Sequence, residues 1–404
     1  MFYPPPIIID DNPIHTHDWG SPVDYDLVEN TLYEIYQCEC GEVKREVIST
    51  PSNTINATGD DAEEALKSIT GGCTVIVDDN SAQKALDLIS DGCTIYFSAG
   101  TYGDEALSIR PGKNNVQRIE SSTGDDVPID SLSPSGHYHY YASLKNVRLI
   151  ADEEAVFNCP LTLFASHISE YGAYDAVREQ VRAEDETTGT YYAHIIVENM
   201  EISNFHFSGE GNNIYMQYAL RDDGSYLDGL LISGCEFEDT GSTNVNMGIR
   251  MLTDIGIDNG YAMQNISIEN CVMTNCYQGV YVQNAHNISV IGCDISNTTH
   301  NAIAIQTGGN SSSSTDNDVF TGEVRIKDNV ISNTGDRAIR FGNGQDATID
   351  VSGNIFVSPS YDTERELLRC SSFQNCNYTF TDNILDGTPI GNDSGSDELW
   401  IVSV

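Results

Sequence analysis

An all-β solenoid of stacked rungs is the fold class that the sequence predicts, and three observations carry it. The stretch 264–344 repeats itself: QNISIENCVMTNCYQGVYVQNA is followed by HNISVIGCDISNTTHNAIAIQTGG and, after the loop NSSSSTDNDVFTG, by EVRIKDNVISNTGDRAIRFGNG. Each row holds three short runs with apolar residues at alternate positions. In the first row these are Ile266 and Ile268, then Met273, then Val280 and Val282; in the second, Ile288 and Val290, Ile295, then Ile303 and Ile305. In the third they are Val324 and Ile326, Ile331, then Ile339 and Phe341. A period of two marks strands with one buried face. A Cys or Asn also returns at the same turn (Cys271, Cys293, Asn329), the first two 22 residues apart. A row this short cannot bury its own apolar face; stacked rows can, each strand pairing with its copies above and below.

Extending the rows in both directions gives a column: Asn199, Cys235, Cys271, Cys293, Asn329, Asn354, Asn383. This ladder resembles the right-handed parallel β-helix superfamily of pectate lyases, polygalacturonases and phage tailspikes. The superfamily stacks Asn at this turn, where the amides satisfy one another and the turn backbone. The three Cys depart from that pattern and behave as small buried hydrophobes. The resemblance spans Thr94–Leu385 and implies a fold; it does not imply a function.

Four segments follow. Residues 1–58 form a small N-terminal unit, with a proline-rich entry (Met1–Pro6) and two strands, Thr31–Gln37 and Glu42–Ile48, around a Gly41 hairpin turn. Residues 59–93 carry a duplication: DAEEALKSITGGCTVIV (61–77) matches SAQKALDLISDGCTIYF (81–97) at an offset of 20. Each copy reads as an amphipathic helix (Ala65, Leu66, Ile69; Ala85, Leu86, Ile89) ending at Gly before a β run. An α-helical cap is expected here, because an open first rung would present unpaired strand edges. Residues 94–392 are the coil. Excursions leave it at 208–227, 252–263, 308–322 and 358–368, and Pro160–Tyr192 interrupts it with a helical stretch at Tyr174–Glu184. Residues 393–404 are a polar linker and an apolar strand, ELWIVSV, expected to cap the last rung or pair with another chain.

Composition excludes some functions. The chain of 404 residues has 19 Lys+Arg against 61 Asp+Glu, a formal charge of −42. So acidic and lysine-poor a balance resembles proteins of high-salt environments, where ions screen self-repulsion; an ordinary acidic secreted protein is the alternative. Nucleic acid is excluded as an expected partner for want of a basic footprint. Polyanionic glycans are repelled globally unless a cation or a local Arg cluster intervenes. No apolar run reaches transmembrane length. The start, MFYPPPIIIDDNP, lacks the basic region and cleavage pattern of a signal peptide, which leaves a mature fragment, a non-standard export route or release from a virion. The eleven Cys do not read as a disulfide framework, since several fall on the interior column.

The third run of each row carries the candidate chemistry. Outward on those strands stand Arg250, Tyr281, Ala304 and Arg340, then Leu252, Gln283, Gln306 and Gly342. Just before them lie Tyr277, His300, Asp336 and Arg337, expected to stack on neighbouring rungs. Tyr277, His300, Asp336 and Arg340 offer a base, an acid and a cationic clamp; Arg250, Tyr281, Gln283, Gln306 and Arg337 suit glycan binding. Polygalacturonases carry Asn-Thr-Asp, Asp-Asp and Gly-His-Gly at the pre-strand places. Here the places read Asn244-Val245-Asn246, Cys276-Tyr277-Gln278, Thr299-His300-Asn301 and Gly335-Asp336-Arg337, so paired-carboxylate hydrolysis lacks a second acid. Arg325-Ile326-Lys327 matches a motif of that family but sits on a first run.

Two metals are candidate cofactors. His15, His17, Cys38 and Cys40 are zinc-ligand types in alternating pairs, although Cys-x-Cys departs from the usual Cys-x2-Cys; a plain hairpin with free thiols is the other reading. Asp316-Asn317-Asp318 is the calcium candidate. Three functions stay open: an extracellular, cell-surface or virion protein of tailspike type that recognises a polysaccharide or glycoconjugate; a secreted polysaccharide lyase or glycosidase; and a purely structural spacer. For assembly, the readings are a homotrimer or attachment to a larger particle through residues 1–58.

Overall fold

A computed structural model describes residues 22–38, 41–103, 105–109, 115–121, 123–128, 131, 137–165, 167–168, 190–218, 226–241, 243, 246–253, 263–306, 319–358, 366–395 and 400–403. His15, His17, Cys40, Asp316, Asp318 and the helical expectation at Tyr174–Glu184 lie outside these. The chain divides into two compact units, Met1–Pro51 and Ser52–Val404.

The first unit holds a three-stranded antiparallel sheet. The expected hairpin is there as Thr31–Gln37 and Val43–Ser49, and a further strand, Asp24–Val28, joins its other edge. Cys38 is buried at the turn, where its N–H donates to the Glu42 carbonyl.

The second unit is the coil. Its first-run strands pair in parallel from Thr54–Ala57 through Thr74–Val77, Thr94–Phe97 and Arg148–Ala151, and on to Asn377–Thr381. The second runs form a ten-stranded sheet from Gly100–Tyr102 to Thr388–Pro389, and the third runs form another face from Leu107–Ser108 to Glu366–Gln374. The coil therefore begins earlier than the expected 94, and Thr54–Ala57 belongs to it rather than to a 1–58 unit. The 20-residue duplication is the reason. Its copies are two successive rungs in register, Thr54 over Thr74 over Thr94, and the helices Ala62–Leu66 and Asp79–Leu88 replace the other runs of each rung. Asp78 caps the second helix by accepting from the Asn80 and Ser81 N–H groups, and Ser81 Oγ accepts from Asp78 N–H in return. Ala82, Ala85, Leu86 and Ile89 seal the core beneath, and the duplicated Cys73 and Cys93 stack with Sγ atoms 3.5 Å apart.

The rung register matches the sequence expectation: Ile249, Val280, Ile303, Ile339 and Leu368 stack inward, as do Met251, Val282, Ile305, Phe341 and Cys370, all buried. The interior column differs at one end. Cys235, Cys271, Cys293, Asn329, Asn354 and Asn383 are buried in line, but Asn199 is exposed, with a left-handed φ of 56°, and donates to Asn146 on an outer turn. The Glu236 N–H bonds the Phe205 carbonyl, so Phe205 precedes Cys235 in the column. Asn199 instead belongs to a series of left-handed corner residues on successive rungs, Asn146, Asn199, Gly229, Asn265 and Asn287. At Gly229 (φ +78°), an added Cβ would lie 2.8 Å from Oδ1 of Asn199 on the rung before, which is why a side chain is excluded there.

Two further expectations change. The 208–227 excursion contains a third-run strand, Ile214–Tyr218, and the last excursion ends before Glu366, where the strand Glu366–Gln374 starts. The final strand Trp400–Ser403 pairs antiparallel with Glu366–Gln374 of its own chain, and Asp393–Gly395 pairs with Tyr378–Phe380. Both cover edges of the last rung. No helix among the described residues is long and apolar enough to cross a membrane.

Candidate functional site

The third-run face is built by one alternation. Parallel register aligns Tyr215, Arg250, Tyr281, Ala304, Arg340 and Arg369 in an outward column, because their neighbours on either side point into the core. A second column holds Gln217, Leu252, Gln283 and Gln306. Within these columns Arg250 lies over the Tyr215 ring, 5.2 Å from its centroid; Tyr215 OH donates to Gln217, and Gln283 donates to Tyr281 OH at 2.6 Å. Burial raises the pKa of Tyr281, keeping the phenol neutral, while Gln283 and the Arg250 and Arg340 charges oppose the shift. Ala304 is covered by its surroundings and contributes no side chain to the surface.

The pre-strand residues stack as expected. The Tyr277 N–H bonds the Asn246 carbonyl, His300 N–H the Tyr277 carbonyl, and Asp336 N–H the His300 carbonyl. The Tyr277 and His300 rings are stacked, 5.0 Å apart at 21°. His300 Nε2 faces Asp336 Oδ2 at 3.5 Å, and its Nδ1 is met by the side-chain amides of Gln278 and Asn301. With those amides donating, Nδ1 accepts, and the proton sits on Nε2 toward Asp336. Burial lowers the pKa of His300, Asp336 raises it, and Arg340 and Arg337 lower it further, so the ring is neutral at pH 7.

The structure also adds partners that the sequence did not point to. Arg337 bridges two carboxylates, Asp336 at 2.9 Å and Glu366 at 2.6 Å, and Arg369 reaches Glu366 at 3.2 Å. A second acid therefore does stand on this face, but Asp336 and Glu366 are both turned onto Arg337, which is itself largely buried. Tyr215 and Glu366 lie inside the stretches that the sequence marks as excursions, 208–227 and 358–368, and Arg369 directly follows the second. Their signal was the alternation Leu368-Arg369-Cys370 and Ile214-Tyr215-Met216 on either side of the insertions.

Arg250 and Arg340 stand apart from this network. Among the described residues neither makes an ion pair, and Arg250 Nε is shielded from solvent with no hydrogen-bond partner. They lie three rungs apart, about 14 Å along the coil axis, with Tyr281 and Ala304 between them.

Residues 194–389 match the family model described as "Right handed beta helix region". The fold of the coil is a right-handed parallel β-helix. No curated protein matches it significantly. Similar solved structures include a hyperthermoactive exopolygalacturonase from Thermotoga maritima, at 11% identity over 88% of this chain and 96% of that one, with a TM-score of 0.35. A polygalacturonase from Erwinia carotovora matches at 10% identity over 82% and 96%, TM-score 0.31. The surface protein and adhesin PfbA of Streptococcus pneumoniae matches at 12% over 82% and 99%, TM-score 0.28. Likenesses this distant say nothing of substrate or partner, so function has to be argued from the β-helix's own side chains.

Proposed function

We propose that this β-helix is an extracellular, cell-surface or virion-borne recognition protein that binds an acidic polysaccharide or glycoconjugate along its third-run face. The observation that carries the reading is the pair Arg250 and Arg340. In a chain with 61 acidic residues, two arginines on one face without an acidic partner among the described residues are cations held for something else. An anionic sugar fits: a guanidinium binds carboxylate or sulfate in a fork of hydrogen bonds, and the Tyr215 and Tyr281 rings between and beside the arginines suit the apolar faces of pyranoses. The local arginines overcome the global repulsion of a −42 chain only at short range, which favours a high-salt setting where distant charges are screened.

The test is binding of a uronate-containing polysaccharide and of a neutral one of equal size to the full chain at high salt. Retention of the acidic polymer alone, lost by tenfold or more in R250A/R340A, is the expected result. Equal binding of both polymers, or binding indifferent to the two arginines, overturns it.

A second reading, a lyase acting through Tyr277, His300, Asp336 and Arg340, draws on the His300–Asp336 contact and the stacked Tyr277. It requires His300 to exchange an amide or carboxylate partner for substrate, because both ring nitrogens already face protein groups. Unsaturated products absorbing in the near ultraviolet, abolished by His300→Ala, would establish it.

A further inference from the structure

The geometry points to a zinc-class divalent metal site on the outer surface of the second-run sheet, formed by His206, Glu236 and Glu238. The strands His206–Ser208 and Glu236–Gly241 run parallel, with His206 opposite Glu236 and Ser208 opposite Glu238. Between them Phe207 and Phe237 point inward, buried, with rings stacked 5.3 Å apart at 12°. That aromatic pair pins the two strands in register and leaves the three polar side chains together on the opposite face. One donor atom from each lies within 4.8 Å of the others.

Two details select a metal over a chance cluster. Among the described residues His206 Nε2 is shielded from solvent and has no hydrogen-bond partner; Glu238 Oε2, 3.4 Å away, is an ion-pair contact only when the ring is protonated. A shielded ring nitrogen without a partner is rare, and a cation accepted by its lone pair satisfies it. The 3.4 Å spacing is also that of two ligands on one tetrahedral ion, about 3.3–3.5 Å for bonds of 2.0–2.1 Å. Glu236 is exposed and free to rotate inward as the third ligand. Imidazole with two carboxylates suits zinc and its first-row neighbours better than calcium or magnesium, which take oxygen donors alone. Three protein ligands leave a fourth position open at the surface. The ion would join two rungs, with Val156 and Val272 on the flanking strands as apolar neighbours of the ligand column.

The site is tested by Co2+ titration of the metal-stripped full chain in excess Mg2+, which occupies non-specific carboxylates. The wild type should take up one equivalent more than H206A and show visible d–d bands that H206A lacks. E236Q/E238Q, which keeps the side-chain shapes, should weaken binding by more than about tenfold, with metal-free melting unchanged. Zn2+ should displace the Co2+ and raise the melting temperature of the wild type alone. Equal stoichiometry and spectra in wild type and H206A overturn the site, as does the loss of all Co2+ to Mg2+. Any ion held by thiols appears equally in wild type and variants and cancels in the comparison.

Discussion

The backbone N–H of Cys293 donates to Oδ1 of Asn329 at 2.9 Å, and this bond marks the seam where a column of thiols becomes a column of amides. Beyond the seam each Asn Oδ1 accepts the N–H of the column residue before it: Asn329 from Cys293, Asn354 from Asn329, Asn383 from Asn354. Each amide nitrogen reaches a carbonyl of the preceding rung, Val290, Ile326 and Val351 in turn. The thiols of Cys235, Cys271 and Cys293 point at the equivalent carbonyls, Ile202, Ile232 and Ile268, at 3.7–3.8 Å. The thiol copies one bond of the amide, weakly, and omits the other.

That difference sets the cost of truncation. Asn354→Ala leaves the Asn329 N–H and the Ile326 carbonyl unpaired in the core, and should cost on the order of 2–4 kcal/mol. Cys271→Ala loses one weak bond and a small volume, about 1 kcal/mol. Urea midpoints of the two variants should differ accordingly; equal losses would show that the amide column contributes no more than the thiols.

Ile303 is buried between Val280 and Ile339 on the adjoining rungs. Ile303→Asp places a charge there with no partner, so the central rungs should fail to form and the cooperative melt should be lost. A normal melting curve would contradict the register on which the whole face is built.

Acidification should bear on His300. Burial holds its pKa below the ordinary 6.5, and burial does the same for His286. The unfolded chain therefore takes up these protons first as pH falls. The stability tied to the neutral rings is complete above about pH 6.5 and shrinks as pH drops from there toward the folded-state values. Protonation of the many carboxylates acts at the same time, so the readout is the melting-temperature difference between wild type and His300→Asn at each pH. That difference should move against the wild type between about pH 7 and pH 5; a constant difference would remove the burial argument.

The coil was legible in the sequence because its constraint is periodic: a residue such as Ile303 must be apolar for the same reason as Val280 and Ile339. Two kinds of feature were not legible. The sequence pattern places Asn199 among the interior amides because a left-handed corner also selects Asn before an apolar residue, and only the register with Phe205 and Cys235 separates the two turns. Tyr215, Glu366 and Arg369 were hidden by insertions of unequal length, which break the spacing while leaving the strand pairing intact. The His206, Glu236 and Glu238 cluster has no local motif at all; parallel pairing alone brings its parts together.

Arg250 and Arg340, without an acidic partner among the described residues, lead to a salt prediction for their own contribution. If each neutralises one anionic group of a glycan, the affinity advantage of the wild type over each Arg→Ala variant should shrink as salt rises, whatever screening does to the background repulsion. Arg337→Ala should act differently. Its guanidinium holds Asp336 and Glu366 together, and its removal leaves two carboxylates facing each other with Arg369 as the remaining cation near Glu366. That variant should lose stability by about 3–5 kcal/mol, with the salt slope of binding kept in whatever fraction stays folded. Melting temperature and salt-dependent glycan retention measured side by side on the three variants distinguish the roles. Should Arg250→Ala and Arg340→Ala also melt early with an unchanged salt slope, the arginines would belong to the scaffold rather than to a binding face.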